Sequence, residues 1–237
     1  MQSSKNLLKY ILLVVGFYLL FCILCIEVEI LANQDVKEKL ALRRENPFGP
    51  ITYMIVHASC DHLRDNIFGI IVLAIMFCLI LRFNDILEPK HTTIGFLIIP
   101  FISPILAAII RCIILPNMIS VGASGVAYAM FGTIFYILLY SSLAYCGEFR
   151  KIGYRNSIEK RRRKYVRGHL LINAGVFAFL LALIIVFSYD VFGWGMAYGY
   201  IIDSVAHVLS FIISYLITFA YFLCCKNIKR SFFTDVD

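Results

Sequence analysis

The sequence predicts an all-α polytopic membrane protein with six transmembrane helices. Three observations carry that reading. Hydrophobic residues make up 61% of the 237 and charged residues only 16%, against about a quarter charged in ordinary soluble domains. The mean hydropathy is +0.83, and the apolar residues gather into six long runs. Each run approaches the roughly 20 residues that a helix needs to cross a bilayer. Such a segment has to be helical, because lipid offers its backbone no other hydrogen-bond partners.

The first run, residues 7–31, is too long for the apolar region of a cleaved signal and lacks a convincing cleavage site, so it reads as a retained span. A long mixed loop follows over residues 33–56, with "NPFGPITYMIVH" leading into the second span and a composition suited to lying partly in the membrane interface. The second span covers residues 62–81 and the third 92–115. The fourth, 124–145, opens within "VGASGVAYAM". A basic loop over 146–168 leads to the fifth span, 169–187, and the sixth covers 195–223. Between the last two, "SYDVFGWGMAYGY" interleaves Gly193, Gly195 and Gly199 with Phe192, Trp194, Tyr198 and Tyr200. An aromatic belt is the plain reading; a glycine-hinged flap over a site is the sharper one. Residues 1–237 read as a single membrane domain.

The net charge of +7 is concentrated: nine Lys or Arg residues fall between Arg150 and Arg167, including "KRRRK". Beside a span, such a run is a topology signal and an anchor for anionic lipid, so a bilayer surface is the expected partner and nucleic acid is not. The two termini and the loops after the second and fourth spans hold 16 of the 22 Lys and Arg residues. The positive-inside rule therefore places both termini in the cytoplasm, with the cell membrane as the expected location. The N-terminal end of the fourth span then lies towards the outer face. Cys22, Cys25, Cys78, Cys112 and Cys224 sit in or beside apolar runs, where cysteine behaves as a small hydrophobe, and no disulfide framework is expected. Palmitoylation of the Cys224 and Cys225 pair is a lesser alternative.

Polar groups inside a membrane are expensive, which makes them functional candidates. His57, His62 and Asn66 occur in "HASCDHLRDN" at the start of the second span, and His207 in "DSVAHVLSFIIS" in the sixth. With the sixth helix entering near Gly195, His207 lies about 12 residues, or roughly 18 Å, down its axis. Small residues such as Gly122, Ser124 and Gly125 serve helix packing in most membrane proteins. The second, fourth and sixth spans all run inward, however, so their polar groups can meet at one depth. Ser124 can then act as a nucleophile with His207 as its general base. His62 and Asn66, four apart on one helix face, and the Ser124 backbone N–H would be donors to a developing oxyanion. His57 and His62 are about 140° apart around a helix, and no HExxH motif is present, which argues against a metal site.

These residues together resemble the rhomboid intramembrane serine proteases. "HASCDHLRDN", "GASG" with Tyr128 four residues after the serine, and "AH" in the last span keep that family's motif order over nearly the whole chain. The resemblance implies a six-helix rhomboid-like bundle in which Ser124 and His207 form a dyad without a third carboxylate. It also implies His62 and Asn66 at the oxyanion hole, Tyr128 packed on the His207 ring, Ala206 against the dyad and a largely structural His57. Gly122 and Gly125 flank the nucleophile in the motif. The implied substrates are single-span membrane proteins cut near the outer surface. The reaction implied needs water entering from that side and no metal or cofactor.

The chain departs from the family pattern in two places. Ser210 and Ser214 stand where glycines usually follow the last-span histidine; both are small enough for close packing, and their hydroxyls can return to a backbone carbonyl. The first loop lacks a Trp-Arg pair and has Phe48-Gly49 near that position. Asp203, one turn before His207, is expected in the wet mouth of the site and outside the catalytic set. Two other readings remain open at this level: a catalytically silent rhomboid-like protein that binds transmembrane clients, and a transporter using the polar cluster as a path. No repeat relates the first three spans to the last three, which counts against an inverted-repeat transporter.

Overall fold

A computed structural model describes residues 4–117, 119–153, 156–186, 196–197, 200–201 and 203–225. In chain order the elements are α1 (Ser4–Leu31), α2 (Gln34–Leu40), α3 (Gly49–Thr52), a 3₁₀ turn (Tyr53–Ile55), α4 (Cys60–Phe83), α5 (Pro89–Ile114), α6 (Ser124–Lys151), α7 (Ser157–Val186), β1 (Met196–Ala197), β2 (Tyr200–Ile201) and α8 (Ser204–Cys225). β1 and β2 form a two-residue antiparallel ladder. α1, α4, α5, α6, α7 and α8 are each long and apolar enough to cross a membrane. The protein is thus an all-α, multi-pass integral membrane protein with six spans.

Local chemistry sets where the helices begin. Ser59 starts α4 by accepting a hydrogen bond from His62 N at 3.1 Å, and Glu88 starts α5 by accepting from His91 N at 2.8 Å ahead of Pro89 at the first helical position. Both follow the preference for a side-chain acceptor at the cap and proline just inside it. Two expected boundaries need correction. α7 begins at Ser157 rather than residue 169, with Asn156 Oδ1 accepting from Glu159 N at 2.7 Å. Lys and Arg are good helix formers, so most of the expected basic loop is the end of α6 and the first turns of α7. α8 begins at Ser204 rather than residue 195, because Asp203 caps it by accepting from Ala206 N at 3.0 Å. His207 is therefore in the first turns of its helix, not 18 Å along it. The glycine-aromatic stretch expected as a belt or flap lies almost wholly outside the described residues.

α6 is the central helix. In its most apolar stretch 61% of the residues are buried, against 39% or fewer in each of the other spans. Its most extensive partner is α8. A Cβ added to Gly132 would overlap the Ser214 hydroxyl and the Phe211 carbonyl, and one on Gly125 would lie 3.5 Å from Ser210 Oγ. The two backbones therefore run nearly in contact, as small residues permit in membranes. Ser210, Ser214 and Thr218 are fully buried along this seam. Ser214 Oγ returns its hydrogen to the Phe211 carbonyl at 2.9 Å, as expected, whereas Ser210 Oγ has no partner among the described residues.

α5 contains Pro100 and Pro104. Proline lacks the N–H that would reach the carbonyl four residues earlier, so Pro100 strips the Phe96 carbonyl of its helical partner. Tyr18 of α1 supplies one, its hydroxyl donating to Phe96 O at 2.8 Å. At the opposite end of α6, Asn173 of α7 donates to Ser141 Oγ at 3.0 Å and accepts from Asn84 Nδ2 at 3.2 Å, tying α4, α6 and α7 together. All eight cysteines are free.

Gly132→Val is expected to destabilise the protein by about 3 kcal/mol or more, since a backbone carbonyl blocks the new side chain. Gly147, with nothing within 4 Å of an added Cβ, is the control. Gly147→Ala should leave the unfolding midpoint in detergent unchanged or raise it slightly.

Candidate active site

α4, α6 and α8 are the second, fourth and sixth spans, so their N-termini lie at the same end of the bundle. Ser124 is the first residue of α6 and His207 the fourth of α8. His207 Nε2 stands 2.8 Å from Ser124 Oγ, a distance that suits the hydroxyl donating to a neutral imidazole. Tyr128, one turn after Ser124 on the same face of α6, stacks on the His207 ring with centroids 4.4 Å apart and planes 23° from parallel. Ala206 is buried beside it in the same turn.

The chain entering Ser124 is held tightly. Gly122 has φ +121°, in the left-handed region, and an added Cβ would lie 2.7 Å from His62 Cε1, 2.9 Å from His62 Nε2 and 3.2 Å from Asn66 Nδ2. Glycine is required there twice over, for its conformation and for the close approach of both side chains. Gly122 N donates to the Tyr53 carbonyl at 2.9 Å, and Ala123 N donates to His57 Nε2 at 3.2 Å. Just upstream, Leu42 and Ser120 exchange two backbone hydrogen bonds of 2.9 and 3.2 Å. The long first loop thus clamps the segment that carries the serine. Tyr53 also lies under Gly125, and its hydroxyl donates to the Pro104 carbonyl at 3.3 Å.

His62 and Asn66 both lie over Gly122, two residues before Ser124. Asn66 Nδ2 is buried and has no hydrogen-bond partner among the described residues, which leaves a donor ready for a bound group. Ser124 sits in the first turn of α6, where backbone N–H groups lack intrahelical acceptors. The N-terminal dipoles of α6 and α8 add positive potential. Together these favour negative charge developing beside the serine hydroxyl. Among the described residues, no group of three or more His, Cys, Asp or Glu side chains is arranged to hold a metal ion.

His57 is buried, and its Nε2 is committed to the Ala123 N–H. Burial, reinforced by the neighbouring His62, lowers its pKa to about 3. Its ring stays neutral, as an acceptor must. Asp203 corrects the sequence reading: it is not in a wet mouth but buried, with Oδ2 2.7 Å from Arg111 Nε of α5. Arg111 was missed, although a cation within the apolar run "AAIIRCII" is a signal in itself. Tyr53 was missed because its carbonyl does much of the holding, and a backbone group leaves no trace in the sequence.

Arg111→Met should strand a buried carboxylate and lower stability by about 3–5 kcal/mol. The double variant Arg111→Met/Asp203→Asn, which keeps a capping acceptor, should recover most of that loss in detergent unfolding. For His57 the folded state binds its proton less readily than the unfolded chain. Its contribution should be fully present above about pH 6.5 and decline as pH falls towards 3. His57→Gln should flatten that part of the unfolding midpoint against pH, which a pH series on the two proteins would measure.

The family described as Rhomboid domain matches residues 44–224, which takes in the Tyr53 and His57 contacts of the first loop, the helix ends described above and both residues of the Ser124–His207 contact. No curated protein matches the chain. The match covers well over half of the sequence, and the chain belongs to the rhomboid family.

Proposed function

We propose that the protein is a serine endopeptidase that cleaves a peptide bond in or beside the transmembrane segment of another membrane protein. The observation that carries the reading is the 2.8 Å approach of His207 Nε2 to Ser124 Oγ. In the proposed reaction Ser124 Oγ attacks the peptide carbonyl carbon while its proton passes to His207 Nε2. The carbonyl oxygen becomes an oxyanion held by Asn66 Nδ2, the His62 ring and the Ser124 N–H. His207 then gives its proton to the departing amine, leaving an ester on Ser124. A water molecule, deprotonated by His207, hydrolyses that ester and restores the hydroxyl. Stacking on Tyr128 keeps the imidazole oriented and offers a π face to its cationic form.

Single-span proteins are the proposed substrates, because a helix end entering from the site end can present an unpaired peptide bond. The proposed location is the cell membrane, and the charge distribution supports both termini in the cytoplasm, which puts the site towards the outer face. The serines at 210 and 214 keep the α6–α8 seam closed, so nothing at that seam favours a silent client binder.

In liposomes the purified protein should cut a transmembrane reporter with a small residue at the scissile position, and Ser124→Ala and His207→Ala should each abolish the cut. A fluorophosphonate probe should label the wild type and not Ser124→Ala. Unlabelled wild type together with retained client capture would sink the reading. Asn66→Ala should lower kcat/KM by about 10²- to 10³-fold while leaving the fold intact.

A further inference from the structure

A shallow depression of about 430 Å³, wide open to its surroundings, runs along α7 at the end of the bundle opposite Ser124, lined by Arg161, Lys164, Tyr165, Gly168, His169 and Ile172. We propose that it is a site for one anionic glycerophospholipid, with the phosphate held by Arg161 and Lys164 and an acyl chain passing over Gly168 onto Ile172. The inference stands apart from the protease reading.

The six residues recur at the three- and four-residue spacing of a single helix face. α7 has 30 residues, about 45 Å of helix against a hydrocarbon thickness of about 30 Å. Its basic first turns therefore stand in the headgroup layer while the rest lies in hydrocarbon. Arg161 and Ile172 are about 16 Å apart along the axis, a span that reaches from a phosphate to the first part of an acyl chain.

The structure also sorts the members of the basic run. Arg163 turns inward, its guanidinium 4.1 Å from the Phe149 ring centroid and its NH1 donating to the Ile152 carbonyl at 3.3 Å. Arg161 and Lys164 are exposed at the groove and make no ion pair with any described carboxylate. Two such cations beside each other favour a phosphodiester of net negative charge over a zwitterionic headgroup. The wall is fixed rather than adaptable: His169 stacks on Tyr145, with centroids 5.0 Å apart and planes 7° from parallel, and the Tyr165 hydroxyl donates to Asp85. Gly168 places no side chain between these groups, and an added Cβ there would meet nothing within 4 Å. Its bareness leaves the floor of the groove open.

The test uses the full chain in neutral detergent, titrated with dioleoylphosphatidylglycerol and read by native mass spectrometry. One retained lipid is expected. Arg161→Ala/Lys164→Ala should weaken its binding at least about tenfold, and Gly168→Leu, which changes no charge, should do the same by filling the floor. Lys160→Ala/Arg167→Ala removes equal charge from the same helix outside the groove and should bind as the wild type does. Equal weakening by both charge pairs would overturn the proposal in favour of diffuse attraction. Equally tight dioleoylphosphatidylcholine, displacement by soluble glycerophosphate at matched concentration, or no retained lipid would overturn it as well. The charge-removing and floor-filling variants act by different means, so a folding defect in one leaves the other decisive.

Discussion

The contact on which the rest depends is the near-touching passage of α6 against α8. Ser124 and His207 are carried by different helices, 83 residues apart in sequence, and no local feature could bring them to hydrogen-bond distance. What does so is the absence of side-chain bulk at Gly125 and Gly132, facing small hydroxyl residues at 210 and 214. Lipid tails are as apolar as leucine, so in a membrane close packing and not hydrophobic exclusion holds such a seam together. The same closeness means that one methyl group in the wrong place would separate hydroxyl from imidazole.

Around that seam the first loop acts as scaffold. It reaches the serine's segment through backbone groups and one imidazole: the Leu42–Ser120 pair, the Tyr53 carbonyl on Gly122 and His57 on Ala123. Each fixes main chain rather than side chain, which holds the turn at Gly122 in place. The Arg111–Asp203 pair serves α8 in a similar way, holding the capping residue one turn before His207. A buried ion pair is poor evidence of net stability, but it fixes position well. Three helices beginning at one place also gather the positive ends of their dipoles where a transition state would accumulate negative charge.

Much of this was legible in the sequence, and what was not has identifiable physical causes. Apolar run length gave six spans, and the parity of those spans placed Ser124, His62, Asn66 and His207 at one end of the bundle. Tyr128 on the His207 ring followed from the family likeness. The starts of α7 and α8 were misjudged for opposite reasons. Lys and Arg continue a helix while ending a hydropathy run, so α7 begins earlier than its apolar part. Met196, Ala197, Tyr200 and Ile201 extend a hydropathy run but pair as short strands, so α8 begins later, at the Asp203 cap. Asp203 itself was misplaced because its partner lies on another helix, 92 positions away, and pairing at that range is not written in local pattern.

The hydrogen bond from Tyr18 to the Phe96 carbonyl bears on what counts as the smallest self-sufficient unit. Tyr18 lies on α1, outside the stretch that matches the family, yet it answers a vacancy that Pro100 creates inside that stretch. A fragment cut to the matched residues would bare this carbonyl to hydrocarbon, where an unmet backbone group costs several kcal/mol. Kinship measured by sequence and autonomy measured by backbone satisfaction therefore have different borders in this protein, and the second is the wider.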